Sequence, residues 1–206
     1  MLDSESSMPD RPADLNERIA ERVRSLRSGH ELSLDDLARK SGVSRSMISL
    51  VERGESSPTA VLLEKLASGL GVSLSALFDP PHAGKTLASG PVSRRADQLE
   101  WKDPASGYVR RNVSPPGVPQ AMRIVEVRFP AGQRVVFDNA GRDAHVHQQI
   151  WILHGSLDVT VGRQRHRLQA GDCLAMQLDR PVTFHNPTRK AARYAVVIAS
   201  EPAARR

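Results

Sequence analysis

Two short stretches carry the side chains with the most chemistry. The first is Leu34 to Arg53, LDDLARKSGVSRSMISLVER. Its second part carries Arg45, Ser46, Ser49 and Leu50 among the apolar residues Ile48 and Val51. A guanidinium can donate two hydrogen bonds to a planar acceptor pair, and hydroxyls can donate or accept one. Ser33 and Ser44 stand immediately before apolar-periodic runs, where a hydroxyl accepts from first-turn amides. Asp36, three residues after Ser33, completes a capping box. The second stretch is His145-Val146-His147-Gln148. Two imidazoles one residue apart suit a transition metal or a polar ligand. Residues 147 and 148 of a continuous strand, however, face opposite sides.

The elements that must hold these groups differ between the two halves of the chain. From about Asp14 to Phe78, apolar residues recur at helical spacing: Ile19, Val23 and Leu26; Leu37 and Ala38; Ile48 and Val51; Leu63, Leu66 and Leu70. Gly29, Gly42, Gly54, Pro58 and Gly71 punctuate them. Gly42 sits where a steep helix–helix turn needs positive φ, and Ala38 is small enough for the two helices to touch. Beyond Asp79-Pro80-Pro81 the texture becomes β-prone. Strands are expected near residues 123–129, 134–137, 149–153, 157–161, 172–176 and 194–198, a spacing that suggests a sandwich or barrel. The expected division is a disordered tail over 1–12, a helical domain over 13–79, a linker over 80–91, a β domain over 92–200 and a tail over 201–206.

Composition narrows the classes. The chain has 206 residues, is 39% hydrophobic and 25% charged, and carries a formal charge of +6. Its charge is uneven: residues 13–79 hold nine Lys/Arg against ten Asp/Glu, and residues 80–206 hold nineteen against ten. Overall basicity is therefore no argument for nucleic-acid binding by the first half; particular side chains must carry it. No apolar run is long enough to span a membrane. The single cysteine, Cys173, excludes an intrachain disulfide, and the start of the chain lacks a signal pattern. A cytoplasmic protein is expected, with Cys173 and Trp151 buried. No nucleophile triad, phosphate loop or paired-cysteine motif appears.

The stretch from Leu34 to Arg53, with Glu52-Arg53-Gly54 closing it and Leu70-Gly71-Val72-Ser73 further on, resembles the Cro/phage-repressor (Xre-type) helix-turn-helix family over about residues 15–78. The resemblance implies an all-α, five-helix domain. Its second motif helix lies in the major groove of double-stranded DNA, with Arg45, Ser46, Ser49 and Leu50 at base edges and Ser33, Ser44 and Arg53 at phosphates. Arg27 and Glu52 match a structural ion pair, and Leu34 replaces a Gln that often contacts DNA. Such domains dimerise on paired half-sites, so a homodimer is expected. Residues 145–186, with His145-Val146-His147, Ile150 to Val159, Gly171-Asp172 and Pro181 to Pro187, resemble the cupin family, an all-β barrel. Metal-holding cupins add a Glu and a later His. Those places fall here at Gln148 and Val182, so no metal and no cofactor is expected. His145, His147, Gln148, Met176 and Phe184 are then candidates for lining a cavity for a small-molecule effector. The resemblance thus implies a transcriptional regulator with no catalytic residues; the alternative is a metal-dependent cupin enzyme with a DNA-binding appendage.

Overall fold

The computed structural model describes residues 12–79, 90–116, 121–139 and 146–200, with side chains from Leu15 onward. The expected tails and most of the expected linker at 80–91 lie outside the described residues, as does His145. Four α-helices come first: α1 (Pro12–Gly29), α2 (Leu34–Ser41), α3 (Arg45–Glu52) and α4 (Ala60–Gly69). Starting α1 at Pro12 suits a residue with fixed φ and no N–H to leave unbonded. The apolar sets close on one another, burying Ile19, Val23, Leu37, Ile48, Leu63 and Leu66. Each such side chain stabilises by roughly 1.5–3 kcal/mol. Gly42 ends α2 at φ 64° and sends its N–H to the Ala38 carbonyl. Gly69 has a different role: a Cβ there would stand 2.8 Å from Ser41 Cβ, so α4 can approach α2 this closely only without one.

The expected fifth helix is instead a single 3-10 segment, Leu74–Phe78. Ser73 stands before it without a side-chain cap. Five residues with no first-turn partner close i→i+3 bonds more readily than an α-helix, as in Ala76 N–H to Ser73 O at 2.9 Å. This segment leads into the β domain, which it also touches.

Among the described residues the β domain has ten strands: β1 (Glu100–Lys102), β2 (Val109–Asn112), β3 (Met122–Phe129), β4 (Arg134–Phe137), β5 (Val146–His154), β6 (Ser156–Val161), β7 (Gln164–Gln169), β8 (Cys173–Gln177), β9 (Val182–His185) and β10 (Ala192–Ser200). They form two antiparallel sheets, in the orders β1-β2-β3-β10-β5-β8 and β4-β9-β6-β7. Central β10 pairs with β3 and β5 along its length, matching Val196 to Val125 and Ile150. Strand parity then decides what faces inward. On β5, Val146, Gln148, Ile150 and Ile152 are buried, while His147, Gln149 and Trp151 face out. Two expectations therefore fail for one reason. Trp151 is 51% exposed rather than packed between sheets, and Cys173, its partner across the β5–β8 ladder, is exposed with it. No helix among the described residues is long and apolar enough to cross a membrane.

Candidate nucleic-acid interface and ligand cavity

The exposed start of α3 is built by its caps. Ser33 Oγ accepts from Asp36 N–H at 3.1 Å, and Asp36 Oδ2 accepts from Ser33 N–H at 3.0 Å, so both halves of the capping box form. Ser44 Oγ accepts from Met47 N–H at 3.3 Å and lies 3.2 Å from Ser46 Oγ. The first turn of α3 thus stands open to solvent with Ser44, Arg45 and Ser46 exposed, while Ile48 and Val51 anchor its other side. Ser49 and Leu50 are half-buried one turn on. Arg27 fixes the far end of α3. Its Nε and Nη2 donate to the two carboxylate oxygens of Glu52 at 2.6 and 2.8 Å, and Nη1 donates to the Leu32 carbonyl at 2.9 Å. That bidentate pair raises the Arg27 pKa above its ordinary value, chiefly through the Glu52 hydrogen bonds.

Both exposed cations of this face already have carboxylate company. Arg45 Nε lies 3.7 Å from Asp35 Oδ1, with both side chains about two-thirds exposed at 66% and 69%. Arg53 donates to Ser49 Oγ and, at 2.7 Å, to Glu55 Oε2. Exposed pairs of this kind contribute only about 0–1 kcal/mol, so either arginine can exchange its partner for a phosphate or a base edge at small cost. This is how a domain without net positive charge presents cations locally. Of the residues expected at the DNA surface, Ser33, Ser44, Arg45, Ser46 and Arg53 are exposed, and Ser49 and Leu50 are partly so. The structure brings all seven to α3 or to the caps of α2 and α3.

A second site lies between the sheets, in a cavity of about 70 Å³. Val127, Phe129, Tyr194 and Val196 wall it from the six-stranded sheet, and Phe137, Val182 and Phe184 from the four-stranded one. The helical domain adds Glu64 of α4, then Ser73 and Leu74. Of the expected liners, Gln148 and Phe184 line this cavity. His147 and Met176 do not: His147 sits on the outer face of β5, where parity puts it, and Met176 is half-buried off the cavity. His145 lies outside the described residues. With His147 turned outward and apolar Val182 at the second histidine place, the described side chains do not fit a cupin metal site; among the described residues no three His, Cys, Asp or Glu groups gather around a point.

The sequence reading missed Tyr108 just before β2, Arg110 on β2 and Tyr194 on β10, all cavity liners. Arginine in a strand ordinarily faces water, and only the neighbouring Tyr108-Val109 marks this stretch as β-prone. Also missed was the junction between the halves. The carboxylate of buried Asp103 accepts from the Ala60 N–H at 2.8 Å, at the start of α4, and from Ser106 N–H and Oγ–H at 2.8 and 2.5 Å. Arg123 pairs with Asp79, and Arg110 donates to Ser75 Oγ. Phe78 meets Trp101 at 5.7 Å between ring centroids, Trp101 meets Tyr108 at 5.8 Å, and Tyr108 stacks on Phe129 at 5.8 Å. A run of touching rings therefore leads from the helical domain to the cavity wall.

The model of the family described as helix-turn-helix matches residues 23–77, which contain α2, the Gly42 turn and α3. The transcriptional regulator SinR of Bacillus subtilis (strain 168) is 37% identical over 94 residues, 45% of this chain and 83% of SinR. The chain belongs to the helix-turn-helix family of transcriptional regulators. SutR, another regulator of this type from Escherichia coli (strain K12), is 24% identical over 164 residues, 80% of this regulator and 84% of SutR. The crystal structure of an HTH_3 family transcriptional regulator from Vibrio cholerae superposes with a TM-score of 0.72 at 27% identity, over 93% of this regulator and 99% of that chain. The likeness thus runs through both the helical and the β domain.

Proposed function

We propose that this regulator binds double-stranded DNA in a sequence-specific way through α3, acts as a homodimer, and carries a cupin-type β-barrel domain that senses a small-molecule effector. The observation that carries the DNA reading is the open first turn of α3: Ser44, Arg45 and Ser46 exposed, with the helix clamped from behind by Arg27 and Glu52. Arg45 is the base reader, and Ser33, Ser44 and Arg53 position the helix on phosphates. The homodimer finds support on the outer face of the six-stranded sheet. There Ile124 is 43% and Trp151 51% exposed, beside half-buried Val197 and Ala195 of β10 and the polar Gln149 and Glu126, exposed apolar side chains that a second copy could cover.

The cavity supports the sensor reading because it is walled by both domains. A ligand there shifts DNA affinity only by binding one arrangement of the two more tightly than the other. The described residues give a metal-dependent enzyme no ligand set to work with, so regulation is the reading we hold.

The test is operator selection from a random-sequence library with the purified protein, repeated with Arg45→Ala. Losing one bidentate base contact should cost about 1–3 kcal/mol, roughly 5- to 150-fold, and relax the preference at one position of each half-site. An Arg45→Ala protein that selects the same sequence with the same affinity would refute α3 as the reader.

A further inference from the structure

Arg110 and Arg111 are adjacent and equally buried, each 6% exposed. Arg111 points away from the cavity into two carboxylates, Glu126 at 2.7 Å and Glu100 at 3.9 Å. Arg110 points into the cavity and has no carboxylate partner among the described residues. One Nη2 reaches the Ser75 hydroxyl, the guanidinium carbon stands 5.5 Å above the Phe78 ring, and Nε has no hydrogen-bond partner. Around it stand the phenols of Tyr108 and Tyr194, which burial keeps protonated and neutral, and Arg123, which is a further cation. Burial lowers its pKa, yet a guanidinium does not lose its proton in a folded protein. A buried cation without a counter-ion costs several kcal/mol. Chains rarely retain that cost unless something else meets the charge.

We propose that the cavity binds a small organic carboxylate, held by the guanidinium of Arg110 at the junction of the two domains. This deepens the sensor reading above and rests on it only for its consequence, not for the binding itself. The cavity volume of about 70 Å³ admits a molecule of roughly five to seven heavy atoms. Its apolar walls of Val127, Phe129, Val182 and Phe184 suit a short hydrocarbon body behind the charged head. Arg110 is the group that touches the helical domain, through Ser75 and Phe78. An anion meeting the guanidinium in the cavity therefore competes with the Ser75 hydroxyl for it. Glu64 lines the same cavity from α4.

The experiment uses the full chain and three sets of probes of roughly three or four carbons: monocarboxylates, their α-amino counterparts, and the matching neutral amides. Thermal melts at about 10 mM of each should show carboxylates of one or both kinds raising Tm by roughly 5–10 °C near saturation, while the amides leave it unchanged. Arg110→Met should fold, because removing an uncompensated buried charge does not weaken the core, and should weaken carboxylate binding at least about 30-fold. Arg110→Lys, which keeps the charge but not the planar fork, should retain part of the shift. The proposal is overturned if no carboxylate shifts the melt, if amides work as well as acids, or if the shift survives in Arg110→Met. Operator affinity measured with the same probes separates the two readings. A carboxylate that binds through Arg110 and leaves operator affinity untouched would remove the sensor function while leaving the anion site in place.

Discussion

Replacing Asp103 by Ala removes the one carboxylate that ties the start of α4 to the β domain. Its cost follows from three accepted hydrogen bonds, from Ala60 N–H at 2.8 Å, Ser106 N–H at 2.8 Å and Ser106 Oγ–H at 2.5 Å. Ala60 is fully buried at 0% exposure, so its N–H has no water to turn to. Thr59 Oγ1 is already committed to Leu62 N–H at 3.2 Å. Stranding a buried donor costs about 1–3 kcal/mol, and losing a helix-start acceptor about 1 kcal/mol. The total is about 3 kcal/mol, or a fall in Tm of roughly 6–12 °C for a chain of this length. Asp103→Asn keeps an oxygen for Ala60 and should lose less than half as much. Circular dichroism gives the melt. A second readout is the fluorescence of Trp101, which sits between Phe78 and Tyr108; Trp151→Phe removes the only other tryptophan. In Asp103→Ala, Trp101 emission should change well before helical signal is lost, because the junction opens first. If the melt stays within about 2 °C of the parent and Trp101 emission follows the helices, Asp103 does not hold the domains together.

Other expectations can be checked on the same protein. Arg27→Met leaves the Glu52 carboxylate, whose side chain is 8% exposed, without its bidentate partner. It should lose about 3 kcal/mol in urea unfolding, while the double variant with Glu52→Met should recover most of that loss. Gly69→Ala places a Cβ 2.8 Å from Ser41 Cβ and 3.0 Å from Ser41 backbone atoms. Overpacking of about 1–3 kcal/mol outweighs the roughly 1 kcal/mol gained in helix propensity, so urea unfolding should show a net loss; a net gain would mean that α2 and α4 separate freely. The Ser33 hydroxyl, then its N–H, and Arg39 hold the Asp36 carboxyl below its ordinary value of 3.8. The depressed pKa makes the capping box a source of stability that is present above the unfolded value and lost as pH falls through the folded one. Carboxyl titration by NMR should find Asp36 below the usual carboxylate range, and Ser33→Ala should bring it back up.

What was legible in the chain divides by how far apart the interacting residues lie. The helices of the first domain announce themselves because their signals are local. Ser33 and Asp36 meet over three residues, Ser44 and Met47 over three, and Gly42 closes on Ala38 over four. The exposed first turn of α3 follows from the same spacing. Strands rich in Val, Ile and Phe were visible too. By contrast, β7, Gln-Arg-His-Arg-Leu-Gln, has only Leu168 to bury, and β1 and β2 carry charge at most positions. Strand parity separated Gln148 from His147 but could not say which of the two faced the cavity, because that depends on pairing with β10 and β8. Arg110 was hidden for a deeper reason. Whether an arginine in a strand meets water, a carboxylate or an empty cavity is set by what folds over it. Here the covering residue, Ser75, is 35 positions away, and the bond from Ala60 to Asp103 spans 43. The machinery for touching a partner is thus encoded within single turns of helix. Any machinery for conveying a signal between the domains must rest on pairs that only the finished fold brings together: Ala60 with Asp103, Ser75 with Arg110, and Phe78 with Trp101.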